Sequence, residues 1–253
     1  MFRHSGETRT LQHNLKIASL LSFVAGVVNV AGFLAVQRLT TNVTGHFAFF
    51  VDEVFKFNYL QAFVFFLYIF FFFSGSFVSS FLVELIYKRK GSYVFVMPAL
   101  LESAVLFSAA LLGPLLVDQH PDVLAFLLLF AMGLQNSLVT TISNATVRTT
   151  HLTGLFTDLG IELSQLLFYK QQVHREKLYS SIRLRFTIIG FFFIGGMVGG
   201  VVYSAVQLYT LAVAGAALLS GITFDYLKAG VRLMNRENND RKKPGSRKKQ
   251  TGT

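Results

Sequence analysis

Two seven-residue stretches carry most of the polar chemistry in this chain: Thr-Asn-Val-Thr-Gly-His-Phe at 41–47 and Thr-His-Leu-Thr-Gly-Leu-Phe at 150–156. A Thr-Gly step suits a helix start. Thr44 or Thr153 can cap by accepting a backbone N–H, and Gly45 or Gly154 lets another helix or a ligand approach closely. A helix that begins at membrane depth presents unpaired N–H groups and the positive end of its dipole, which favours an anion. Arg148 and His46 can add positive charge, while Thr41 and Thr150 supply hydroxyls. With Asn29 and Asn136 these residues form a candidate polar site for an anionic or amphoteric small solute. The competing reading is helix caps plus Gly packing between helices, which membrane proteins use widely. Both readings stay open at this level.

Carboxylates trail each motif, Glu53 after the first and Asp158 and Glu162 after the second, and Glu102 lies inside another apolar run. A charge at the bilayer centre costs several kcal/mol, so such groups face a protein interior or water and mark ion or proton pathways. Asp158 and Glu162, at i and i+4, share a helix face. All four are candidates for proton or ion coupling. The simple alternative puts Asp52, Glu53 and Asp158 at the interface, in water.

Asn29, Gln135 and Asn136 are uncharged polar groups in apolar runs, and interhelical hydrogen bonding accounts for Gln135. The six His are scattered with no i, i+4 pair, and there is no Cys, so no metal site, thiolate chemistry or cofactor is suggested. Nothing resembles a nucleophile elbow or a Ser-His constellation, so no catalytic residue is assigned and an enzyme ranks last.

The elements that must position these groups are helices in a membrane. Of 253 residues, 53% are hydrophobic, 28 are Phe and only 14% are charged, against roughly 25% charged in a soluble domain. Apolar runs at 17–37, 59–83, 94–117 and 123–147 are long enough to cross. The uncharged tract 186–224 is too long for one crossing and must turn back near 204–207, which makes six spans. The Phe-rich run from Phe63 to Phe73 reads as lipid-facing or packing surface.

Segments 40–58 and 144–169 are half-apolar and interrupted by polar residues. If both crossed fully, Lys88, Arg89 and Lys90 would face the side opposite Arg9 and Lys16, against the positive-inside rule. If neither does, both termini, that cluster and the 170–185 loop are cytoplasmic. The fold expected is therefore all-α, with six transmembrane helices plus two re-entrant or interfacial helical segments.

The motif echo extends further: Gly26 and Asn29 are matched by Gly133 and Asn136, and Glu53 by Glu162. Each copy comprises span, broken segment, span, span. Three crossings is an odd number, so the second copy enters from the other side, giving an inverted-topology repeat of the kind found in secondary transporters. The domain reading is a cytoplasmic segment 1–16, repeat one at 17–117, repeat two at 118–227 and a basic tail 228–253. That tail, with no apolar period, is expected to be disordered, cytoplasmic and in touch with anionic lipid rather than nucleic acid.

Gly26-x-x-Asn29, the Thr-Gly pairs, and Gly-Leu-Gln-Asn followed by Arg-Thr-Thr-His-Leu-Thr-Gly-Leu-Phe-Thr-Asp-Leu-Gly resemble the YoaK-type family of bacterial inner-membrane proteins, a domain of unknown function. The resemblance runs from about 15 to 226, and differs where this chain has His46 and Asn29. It implies a multi-pass protein of the bacterial inner membrane and supplies no substrate. Two functions follow as expectations: a secondary transporter or permease for a small solute, or a scaffold or sensor whose motifs only pack helices.

Overall fold

The computed structural model describes residues 10–88, 94–168 and 171–241, with side chains over the same residues apart from 226 and 228–241. Among these residues every regular element is helical: α1 (Leu11–Val36), α2 (Val43–Phe55), α3 (Tyr59–Lys88), α4 (Val96–Gln119), α5 (Pro121–Ser143), α6 (Leu152–Phe168), α7 (Gln172–Val206) and α8 (Thr210–Arg241). Five helical segments are long and apolar enough to cross a membrane, the last being the 54-residue stretch Gln172–Asp225. It is broken at Gln207–Tyr209 by a single 3-10 turn, where Gln207 adopts φ 50. At 1.5 Å per residue, α2 with 13 residues and α6 with 17 reach only about 20 and 26 Å, short of a 30 Å hydrocarbon core.

Local chemistry sets the breaks. α5 starts with Pro121, whose missing N–H costs nothing at a first position, and Asp122, whose charge suits the dipole. α1 ends on Gln37 and α5 on Asn144, both left-handed at φ 52, and each stop is followed by one of the motifs. The cap of α2 differs from the expectation. Asn42, not Thr44, holds the N-cap and accepts the Gly45 N–H at 3.2 Å, because its side chain is one position outside the helix while Thr44 already lies in the first turn.

Two further expectations are corrected. The loop expected at 170–185 is helical from Gln172 onward and forms the first turns of α7. Residues 228–241, expected as disordered, continue α8 as helical backbone; elongating an existing helix needs no new nucleus, and Leu, Met, Arg and Glu are good formers. Residues 242–253 of the tail and 1–9 lie outside the described residues.

Close backbone contact organises the bundle into two pairs. A Cβ on Gly26 would sit 2.1 Å from the Phe192 carbonyl oxygen, and one on Gly195 2.1 Å from that of Phe23, so α1 and α7 touch backbone to backbone; Gly195 against Phe23 and Gly199 against Val27 make them parallel. The same holds for α3 and α5: Gly75 meets the Phe130 carbonyl and Gly133 the Phe72 carbonyl, each at 2.1 Å. Small residues allow this approach, which gains dispersion where lipid offers no hydrophobic drive. α1 and α5 run antiparallel, with Gln135 level with Leu21 and Gly32 with Leu128. They form the enclosed centre, 61% and 67% of their apolar windows being buried against 28% for α3 and 33% for α4. α2 lies on α3, and α6 on α7.

Candidate central cavity and its side chamber

The turns after α1 and α5 are tied back to the helices they leave. Thr41 donates through Oγ1 to Asn29 Oδ1 at 2.7 Å, and Thr150 through Oγ1 to Asn136 Oδ1 at 2.9 Å. Each preceding Thr is buried and bonded as well: Thr40 to the Val28 carbonyl at 3.4 Å, and Thr149 to Gln135 Nε2 at 3.1 Å. These bonds fold the chain back along the helix before α2 and α6 begin. Because α1 and α5 are antiparallel, the two turns enter from opposite ends of the bundle.

Both motifs reach one cavity of about 720 Å³. Asn29, Thr41, Asn42 and Thr44 line it from the first half, Thr150, His151, Thr153 and Gly154 from the second, and Ser76, Phe72, Phe73 and Phe192 complete its wall. The first turns of α2 and α6 therefore face the same space, with N–H groups that have no partner within their helices. Hydroxyls and amides face rings across it, and no carboxylate, Lys or Arg is among the lining residues. Such a lining suits a small solute with both polar and apolar surface.

Other candidates lie elsewhere. Gly45 packs against Leu39, where a Cβ would come within 2.7 Å of the side chain. His46 is buried away from the cavity, its Nε2 2.6 Å from the Leu39 carbonyl oxygen. Asn136 stands behind the wall, holding Thr150 and donating to the Met132 carbonyl at 2.8 Å. Arg148 lines a neighbouring chamber of about 310 Å³ with His151, Gly154, Asp158, Ser181 and Arg185. His151 and Gly154 belong to both linings, so the two spaces adjoin there. Partial burial, and then the Arg148 charge, hold the pKa of His151 below its ordinary value, so it is neutral at pH 7.

The carboxylates separate into three environments. Arg185 clamps the α6 pair: Nε donates to Glu162 Oε2 at 2.8 Å, Nη2 to Glu162 Oε1 at 3.0 Å and Nη1 to Asp158 Oδ2 at 2.9 Å, while Ser181 donates to Glu162 Oε1 at 2.6 Å. Glu53 sits at the far end of α2, bonded by Lys56 at 3.4 Å and Asn58 at 2.8 Å, a local cluster outside the cavity. Glu102 is fully buried in α4 with no hydrogen bond to either oxygen, and it lines neither space.

Several members of this arrangement escape a reading of the sequence. Ser76 donates to the Gly133 carbonyl at 3.1 Å and lines the cavity. Phe72 and Phe73, expected as lipid or packing surface, form its wall. Arg185 escapes because it falls one residue before the apolar tract at 186, where charge reads as loop; an Arg at i−1 of a span facing two acids is the available signal.

No curated protein matches the chain, and no solved structure matches it. A family model described as "Protein of unknown function (DUF1275)" matches residues 17–224, which take in both motifs, the cavity and the Arg185 cluster, and the chain belongs to that family.

Proposed function

We propose that this protein is a secondary transporter or permease for a small solute, built from two inverted halves, α1–α4 and α5–α8. The observation that carries the proposal is that two motifs far apart in sequence, entering from opposite ends of the bundle, line one cavity of mixed polar and apolar wall. The paired Thr–Asn bonds and the paired Gly crossings of α1 with α7 and α3 with α5 support the inverted reading. In it, α7 and α8 are separate crossings, giving six spans, and α2 and α6 are re-entrant. Lys16, Lys88 and the Arg175–Arg185 stretch then share the cytoplasmic face with both termini, and the acidic turn at 118–122 faces out. The bacterial inner membrane as its location rests on the YoaK-type resemblance.

The solute is anionic or amphoteric with an apolar part, since two helix N-termini and several hydroxyls meet aromatic rings. Glu102 carries the coupling proton in this reading, and the Arg185 cluster controls α6. Catalysis forms no part of it. Protein reconstituted in liposomes should accumulate a small anion or zwitterion saturably, above protein-free liposomes. Fluxes equal to the blank across both classes would sink the proposal. The packing reading, a scaffold or sensor, is favoured by one observation, that Gly26 and Gly133 serve backbone contact alone; it expects no flux and a function that depends on a protein partner.

A further inference from the structure

The two ends of the cavity are unequal. On the α6 side it adjoins the chamber of Arg148, Asp158 and Arg185, with His151 and Gly154 lining both spaces. At the opposite end the corresponding turn is packed shut around Tyr68. Leu39 lines the cavity on one side, and its carbonyl engages His46 on the other. The His46 ring lies 4.6 Å from the Tyr68 ring, centre to centre, and Tyr68 is fully buried against Phe65 and Phe126. Its hydroxyl donates to Asp122 Oδ1 in the first turn of α5, and the Arg38 guanidinium reaches the phenol oxygen itself. One phenol therefore joins the turn after α1, α2 through His46, α3 and α5.

Two buried nitrogens in this cluster, Arg38 Nε and His46 Nδ1, have no hydrogen-bond partner. Burying them unpaired has a desolvation cost that water would relieve on opening. A purely structural cluster gains nothing from that arrangement, whereas a closure that must come apart does. Asp122 begins α5 and Arg148 follows its end, so this cluster and the side chamber are separated by the helix length, about 34 Å for 23 residues.

Resting on the transport reading above, we infer that Arg38, His46, Tyr68 and Asp122 form the closed gate of one mouth of the cavity, while the mouth through the Arg185 chamber is open. The state shown is then one of two in an alternating-access cycle, and the gate opens by separating Tyr68 from Asp122.

The chain has no Cys, so single-cysteine labelling tests this without a background. Thr153→Cys, in the cavity wall, is exposed to a membrane-impermeant maleimide from each face in turn. The inference expects labelling from the Arg185 face only. Adding Tyr68→Phe or Asp122→Asn, each nearly isosteric, should raise labelling from the Asp122 face about tenfold, the shift expected when one hydrogen bond to a charged group is lost from the closed state. Retained labelling from the Arg185 face reports an intact fold. Equal labelling from both faces before substitution overturns the gate and leaves the transport reading standing, as does an unchanged Asp122-face rate in both variants. Loss of Arg185-face labelling in both variants would make the cluster a folding element and also overturn the gate. No labelling from either face in any form would remove the cavity as a water-reached site, and the transport reading with it.

Discussion

Removing Arg185 should release α6 while leaving the rest of the bundle in place. α6 buries only Leu155 and Leu159, so packing holds it weakly, whereas α2 is held on α3 by rings such as Phe49 against Phe65 and Phe50 against Phe66. In Arg185→Gln two acids lose their cation. Asp158 has a side chain 51% exposed, and water screens it, so its share is small. Glu162 is 13% exposed and keeps only Ser181, so stranding it there accounts for most of a cost of about 2 kcal/mol. If α6 opens as a local unit, its amide hydrogens should exchange roughly 30-fold faster, since 1.4 kcal/mol is a factor of ten. Hydrogen exchange with mass spectrometry over 152–168, using α5 as the internal reference, reads this directly. The double variant Arg185→Gln with Glu162→Gln should recover much of the protection because no charge is left stranded. Unchanged exchange in the single variant, or equal acceleration in α5, would refute the reasoning that an ion cluster is what holds α6.

Other consequences are open to measurement. Gly133→Ala forces a methyl into the Phe72 carbonyl and should lower thermal stability in detergent by about 1–3 kcal/mol, while Gly190→Ala, where a Cβ meets nothing within 4 Å, should be neutral or stabilising; similar melting of both variants would contradict the α3–α5 contact. His151 has a folded pKa below its unfolded value, so as pH falls the unfolded chain takes up the proton first. Its stabilising contribution is complete above about pH 6.5 and is lost as pH falls through the folded value, so His151→Gln should flatten part of the melting-temperature drop between pH 7.5 and 5.5. Glu102→Gln replaces a side chain whose oxygens have no partner with a neutral isostere; insertion should be kept and proton-linked flux lost, and normal flux would remove Glu102 from coupling.

Much of the scaffold is legible in the sequence because a membrane constrains it simply. Apolar length finds the long helices, and polar interruption plus shortness marks α2 and α6. The echo of Asn29 and Thr41 in Asn136 and Thr150 is legible too, and its meaning is the hydrogen bond that ties each turn back to its helix. What escapes depends on packing at long range. Nothing near Tyr68 in sequence announces Asp122 as its partner, and nothing near Arg185 announces Glu162 on another helix. Glu53 and Glu162 look equivalent as trailing acids, yet Lys56 and Asn58 hold the first locally while Arg185 from α7 holds the second. Phe72 sits among outward rings such as Phe70, Phe73 and Phe77, and only the crossing of α3 with α5 decides that it is the more enclosed of them.

The account stands on two motif segments entering from opposite ends and meeting at one solute path. A protein carrying Thr44→Cys and Thr153→Cys, treated with a short flexible bis-maleimide, tests it most directly. The account predicts an intramolecular cross-link between the two halves and, in liposomes, loss of solute flux when it forms. Full modification of each cysteine with no cross-link between them would contradict it.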